Sequence, residues 1–276
     1  MTAAPDRVGT QRLLERHGIR PDTDLGQHFL LDENLVDLAI RMAEVGPDDV
    51  VLEIGPGLGT LTAALGRTAR TVHAIETDRR MQAPLEDSTA GCPDVRIIWA
   101  DCMKVDLAAL DPAPTRVVAN LPYHVATPVL LETIVQLPGV RMWALMTQAE
   151  VADRWLAAPG SRMYGGPSVM IQLATEPAGR RKVGREVFSP RPRVDSALVA
   201  FRRTAPAPAP EVRALVRAAF AVRRKTLVNA LGQAGADRDA VRVALRALGL
   251  DESVRPEAVA PADYPRLAAA IPWTAA

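Results

Sequence analysis

The chain has 276 residues, of which 48% are hydrophobic and 24% charged, and its formal net charge is +1. These values predict an ordinary globular protein of one large domain, or one large and one small. They exclude a bilayer-spanning chain, since no apolar run approaches the roughly 20 residues required, and residues 1–20 lack the apolar centre of a signal peptide.

Charge is spread unevenly. Between Arg180 and Lys225 thirteen Lys/Arg face three acids, so that segment is +10 and the remainder −9. Such asymmetry predicts a polyanion held on a basic surface. Cys92 and Cys102 have no metal-ligand spacing and the four histidines are scattered. Reduced thiols, a cytoplasmic location and no metal site are expected.

In chain order, residues 1–24 read as an irregular N-terminal arm with a short helix over 11–17. Asp32 caps a helix whose apolar face carries Leu35, Val36, Leu38, Ala39 and Met42. Strands are predicted at 50–54, 72–75, 95–99, 117–119, 142–146, 169–173 and 197–201. Helices are predicted between the first five, at 60–67, 79–88, 127–136 and 148–156. Alternation of this kind predicts a doubly wound parallel sheet with helices on both faces. The last two strand candidates lack an intervening helix, which predicts an antiparallel hairpin edge. Residues 204–210 form a stiff Pro/Ala linker, and 211–276 a small helical domain with helices at 212–222, 225–233, 237–248 and 262–269.

The chemistry sits at strand ends. Val50–Ile54 empties into Gly55-Pro56-Gly57-Leu58-Gly59, a turn that lets a ligand approach the backbone. Glu76 follows the second strand, placed to accept from ribose hydroxyls. Asp101 follows the third, placed to accept from an adenine amine. Asn120-Leu121-Pro122-Tyr123 ends the fourth, offering an amide, a stiff turn and an aromatic face. Strand ends of a doubly wound sheet line one crevice, so Gly55, Glu76, Asp101 and Asn120 predict a pocket for an adenosine-bearing cofactor. A nicotinamide dinucleotide wants Gly-x-Gly-x-x-Gly, and here the third glycine comes one place early.

The full motif set resembles the ribosomal RNA adenine dimethylase family, of the type that modifies small-subunit rRNA. Leu25-Gly26-Gln27-His28-Phe29-Leu30 is similar to its N-terminal cofactor motif, and Glu53 to Gly59 to its glycine-rich loop. Asn120 to Tyr123 is similar to its catalytic motif. Glu150 to Arg154, Tyr164-Gly165 with Ser168-Val169, and Phe188 to Ser196 also match. So does Arg223 to Leu227 with Asn229 and Leu231. His28 departs from the family's usual asparagine.

The resemblance implies a seven-stranded class I S-adenosylmethionine methyltransferase domain over 25–203 and an RNA-binding helical domain over 211–276. It implies transfer of methyl groups to two adjacent adenosines in the 3′-terminal hairpin of small-subunit rRNA during ribosome biogenesis. Expected catalytic residues are Asn120, Leu121, Tyr123 and Phe188, the two aromatics sandwiching the base. His28, Leu30, Gly55, Gly57, Glu76, Asp101 and Asn120 are expected to hold S-adenosylmethionine. Arg191, Arg193, Arg223, Arg224 and Lys225 are expected to hold phosphates. The expected partner is small-subunit rRNA inside a pre-assembled subunit, met by a monomer away from any membrane. The alternatives are a large-subunit rRNA adenine methylase conferring macrolide resistance, whose tetrapeptide usually has isoleucine where Leu121 stands, and a non-catalytic assembly factor.

Overall fold

Aliphatic and β-branched runs form the inner strands of a seven-stranded sheet, and amphipathic stretches between them form its helical layers. The computed structural model describes residues 7–22, 26–122, 125–222 and 224–273. The chain divides into two compact units, Met1–Ala152 with Glu176–Arg203, and Asp153–Thr175 with Thr204–Ala276.

The sheet strands are β1 (Val50–Ile54), β2 (Thr71–Glu76), β3 (Val95–Trp99), β4 (Arg116–Asn120), β5 (Met142–Gln148), β6 (Thr175–Val183) and β7 (Ser196–Arg203). Their order is β3-β2-β1-β4-β5-β7-β6. Parallel pairing joins β3, β2, β1, β4 and β5, and β7 runs antiparallel to β5. The order reverses between β1 and β4, where a doubly wound sheet opens a crevice at its carboxyl edge.

Helices of this unit include α1 (Arg7–Arg16), α2 (Glu33–Met42), α3 (Thr60–Thr68), α4 (Gln82–Thr89), α5 (Ala126–Gln136) and α6 (Ala149–Trp155), the last reaching its boundary. Asp32 caps α2 as expected, its side chain accepting from the Asn34 and Leu35 N–H groups. Leu35, Val36 and Ala39 of α2 and Leu61, Ala64 and Leu65 of α3 pack on Val51, Val72 and Val118.

Opposite the carboxyl edge, one carboxylate ties the amino ends of three strands. Asp49 accepts from the Thr115 hydroxyl at 2.7 Å and the Gly46 N–H at 2.9 Å. Arg116 Nη1 lies 3.2 Å and Arg141 Nη2 3.3 Å from its Oδ1.

The second unit is helical: α7 (Gly166–Ala174), α8 (Pro210–Phe220), α9 (Leu227–Gln233), α10 (Arg238–Ala247) and α11 (Asp263–Ala270). Leu215, Leu227, Leu231, Val241, Leu245 and Leu267 fill its core. Two buried tyrosines have their hydroxyls satisfied, Tyr164 by the Val259 carbonyl and Tyr264 by the Pro256 carbonyl.

One strand expectation fails. Residues 169–173 lie in α7, started by a proline in its first turn and by the Ser168 hydroxyl accepting the Gly165 N–H. A short apolar run does not by itself separate a buried strand from a buried helix. The strand that was missed, β6, is a polar sheet edge whose residues 176–178 and 180–182 are exposed. Arg180, Arg181 and Lys182 there suit an edge that must not recruit another chain.

Replacing Asp49 by alanine leaves Arg116, nearly buried, without its carboxylate. Urea titration is expected to show a loss of about 3 kcal/mol. A loss below about 1 kcal/mol would mean the cluster is not holding the strand ends together.

Candidate active site

Three glycines in the turn after β1 have positive φ, 71° at Gly55, 58° at Gly57 and 81° at Gly59. Two are also required sterically. A Cβ on Gly57 would stand 3.0 Å from the Phe29 ring, and one on Gly59 would stand 2.0 Å from Ser88 Oγ. The turn is stitched to β2, with the Gly55 N–H donating to the Ile75 carbonyl at 2.9 Å. The Gly57 N–H donates to Glu76 Oε2 at 3.1 Å. Glu76 Oε1 accepts from the Thr77 and Asp78 N–H groups, each at 2.8 Å. The next loop joins the same edge, because the Ala100 N–H donates to the Glu76 carbonyl. Asp101 Oδ1 accepts from the Met103 N–H at 3.0 Å.

The segment before α2 closes one side. Gln27 Nε2 donates to Asp78 Oδ2 at 2.7 Å. His28 Nδ1 donates to the Pro190 carbonyl at 2.8 Å. Phe29–Leu30 forms a short antiparallel ribbon with Phe188–Ser189.

Asn120 ends β4, and its Nδ2 donates to the His28 carbonyl at 3.0 Å. A carbonyl only accepts, so this bond orients the amide and leaves Oδ1 as the end that accepts from an incoming donor.

These elements surround a cavity of about 360 Å³. His28, Leu30, Gly55, Gly57, Glu76, Asp101 and Asn120 all line it, so every residue expected to hold the cofactor meets in one place. Four carboxyl groups line it (Glu53, Glu76, Asp78 and Asp101), and no lysine or arginine does among the described residues. Asp78 pairs with Arg80 and Asp101 with Lys104, cations outside the wall. Neither Glu53 nor Glu76 has a cation within ion-pair distance among the described residues. Burial raises the Glu76 carboxyl above its ordinary value against the pull of its three backbone donors.

Glu53 is the site residue that the expected set omitted. It is 1% exposed, and its Oε2 has no hydrogen-bond partner. Burial pushes its carboxyl up to about 8, the nearby Thr62 side chain opposing and the Glu76 charge adding. An acid two places before the first glycine of the turn was legible in the sequence; that its strand position buries it was not. Cys102 also lines the cavity, and burial raises its thiol to about 11, which keeps it protonated and inert.

The catalytic set is brought together only in part. Leu121 lies beside the cavity, 2% exposed, its N–H donating to the Met146 carbonyl. Tyr123 lies outside the described residues. Phe188 lies in the core. It is 1% exposed and belongs to the core of Leu30, Leu35, Val36 and Leu198. It stands opposite Leu30 in the short ribbon. Arg191 and Arg193 are exposed in the sheet unit, and Arg224 and Lys225 are exposed in the helical unit. Arg223 lies outside the described residues. Two arginines of the basic segment are structural. Arg202 pairs with Glu44, and Arg203 donates to the Ile134, Leu137 and Val140 carbonyls at the end of α5.

The pattern that defines the ribosomal RNA adenine dimethylases matches residues 19–271. The ribosomal RNA small subunit methyltransferase A of Thermobifida fusca is 44% identical, over 94% of this chain and 93% of that protein. Its counterpart in Kineococcus radiotolerans is 47% identical, over 93% and 88%. Among solved structures, a dimethyladenosine transferase from Plasmodium falciparum superposes with a TM-score of 0.74 at 25% identity, covering 87% of this chain and 96% of that one. The 23S rRNA methyltransferase ErmE does so at 0.65 and 27%, covering 89% and 100%.

The raised Glu53 carboxyl has a consequence for stability. A group whose folded pKa exceeds its unfolded one stabilises fully below the unfolded value and progressively less as pH rises through the folded value. Without ligand, stability is expected to fall by roughly 1 kcal/mol between pH 7 and pH 9. Glu53→Gln is expected to remove most of that slope in thermal melts; an unchanged slope would show that Glu53 is ionised throughout.

Proposed function

The chain belongs to the ribosomal RNA adenine dimethylase family, and from that premise we propose that it is the S-adenosylmethionine-dependent enzyme that dimethylates two adjacent adenosines in the 3′-terminal hairpin of small-subunit rRNA. The observation that carries this reading is the Asn120 amide, oriented by the His28 carbonyl on the wall of an acidic cavity.

The wall chemistry selects the ligand class. A cavity with four carboxyl groups and no lysine or arginine among the described residues suits a nucleoside with positive charge and repels a pyrophosphate. The nicotinamide dinucleotide reading fails on that ground as well as on glycine spacing. Glu53 Oε2, buried without a partner, fits a cationic group better than any phosphate. His28, Leu30, Gly55, Gly57, Glu76, Asp101 and Asn120 would hold the cofactor. S-adenosylmethionine, when bound, supplies a methyl group already activated by the sulfonium.

The protein's task is then to position the nucleophile. The lone pair of an adenine amine is delocalised into the ring and attacks poorly. Asn120 Oδ1 and the Leu121 carbonyl would accept from that amine and draw its nitrogen toward tetrahedral geometry. Tyr123 is the aromatic that would stack on the extruded base, a contact worth roughly 1–3 kcal/mol. Phe188 would have to leave the core to join it. No side chain needs to act as a base before attack, since the amine sheds its proton once methylated.

Arg191, Arg193, Arg223, Arg224 and Lys225 would hold phosphates, and the helical residues 211–276 would serve as the RNA-binding domain. Phosphate contacts position without reading sequence, so a folded rRNA surface in a pre-assembled subunit is the natural substrate. A monomer acting in the cytoplasm fits that role. ErmE favours the large-subunit alternative at 27% identity, against 44% and 47% for the small-subunit methyltransferases.

Incubation with labelled S-adenosylmethionine and unmethylated subunits of either size, followed by mapping of the label, tests the assignment. Dimethylated adenosines in the small-subunit terminal hairpin are expected; label confined to the large subunit, or absent from RNA, would refute it. Asn120→Ala is expected to slow methyl transfer by about 10²-fold or more, whereas a normal rate would remove that residue from the mechanism.

A further inference from the structure

Glu53 sits on β1 with its Oε2 buried and unpartnered, and its side of the strand lines the cavity. An ionised carboxylate in that position would bear its desolvation cost with no cation beside it and only the Thr62 hydroxyl to offset it. The surrounding elements do not supply a positive charge. Helix α3 contributes the Thr62 hydroxyl, and β2 contributes Glu76, whose charge opposes ionisation of Glu53. The loops after β2 and β3 contribute Asp78, Asp101 and Cys102, the segment before α2 contributes His28, and β4 contributes the neutral Asn120. Arg80 and Lys104 are engaged by Asp78 and Asp101.

We propose that Glu53 is the proton-exchange site of the cofactor cavity: it is a neutral acid in the free protein and releases its proton to solvent when the cationic cofactor enters. The inference rests on the cofactor assignment above and adds to it a proton linkage and the residue that carries it. The balance is simple. The carboxyl O–H bond breaks, the proton passes to buffer, and the carboxylate left behind faces a desolvated positive charge. The sulfonium and the α-ammonium of the cofactor supply the same chemistry, and the experiment below separates them.

Geometry and titration agree. With the free carboxyl near 8, most molecules carry the proton at pH 7. Affinity must therefore rise with pH up to about that value and level off above it. Cys102 stays protonated throughout that range.

Calorimetric titration of the full chain with S-adenosylmethionine, in two buffers of different ionisation enthalpy, counts the protons released. About one proton per site is expected at pH 7, with a dissociation constant that falls by up to about tenfold per unit between pH 6 and pH 8. Glu53→Gln, which keeps the shape of the neutral acid, is expected to bind with no proton release and a flat pH profile. S-adenosylhomocysteine lacks the sulfonium. Release by both ligands would uphold the proposal and assign the charge to the ammonium; release by S-adenosylmethionine alone would uphold it and assign the sulfonium. Saturable binding of S-adenosylmethionine without proton release, or equal release from Glu53→Gln, would overturn the proposal while leaving the function intact. No binding at all would overturn both. If that variant does not fold, Glu76→Gln takes its place: proton release that persists in it upholds Glu53 as the source, and release lost with Glu76 overturns the proposal.

Discussion

The Glu76 carboxylate accepts backbone hydrogen bonds from Gly57 in the glycine-rich turn and from Thr77 and Asp78 in the turn after β2. It thereby locks two loops that leave adjacent parallel strands, and its own carbonyl accepts from Ala100 in the third. The geometry of the cavity follows from this. Parallel pairing with Ile54 opposite Ile75 and Glu76 opposite Trp99 brings three strand ends level. The reversal of strand order between β1 and β4 then sets Asn120 beside them. The segment before α2 completes the wall and also orients the Asn120 amide through the His28 carbonyl. One short stretch thus holds both the turn after β2, through Gln27 and Asp78, and the end of β4, through His28 and Asn120.

Charge is divided by task within the chain. The cavity wall is acidic, whereas the exposed Arg191, Arg193, Arg224 and Lys225 are basic. A near-neutral total hides both fields. An acidic crevice disfavours phosphate groups, so on the proposed function an RNA backbone would be kept out of the cavity and only a base turned out of its strand would enter. On the proposed function, this arrangement would separate cofactor recognition from RNA recognition without a steric barrier.

Much of the site was legible because chemistry falls at the ends of apolar runs. Glu76, Asp101 and Asn120 each follow such a run, and a doubly wound sheet gathers their positions. What failed did so for identifiable reasons. The run Val169 to Leu173 is too short and too apolar to show a period, since Val169 and Ile171 are buried in the helical unit and Met170 and Leu173 pack against the same core. The edge strand β6 is polar, so hydrophobic patterning passed over it. The burial of Phe188 goes with its ribbon pairing opposite Leu30, a long-range contact that local sequence does not encode. Glu53 was visible as an acid before the glycines. Its unusual titration comes from burial and from Glu76, set beside it by the β1–β2 pairing.

The central claim is that one acidic cavity holds the methyl donor with the Asn120 amide facing its reactive end. A crystal structure of the protein grown with S-adenosylmethionine tests this most directly. The account predicts the adenosine against Glu76 and Asp101 and the sulfonium on the Asn120 side, with the Asn120 Nδ2 still bound to the His28 carbonyl. A ligand bound elsewhere, or an Asn120 amide turned away from it, would contradict the account.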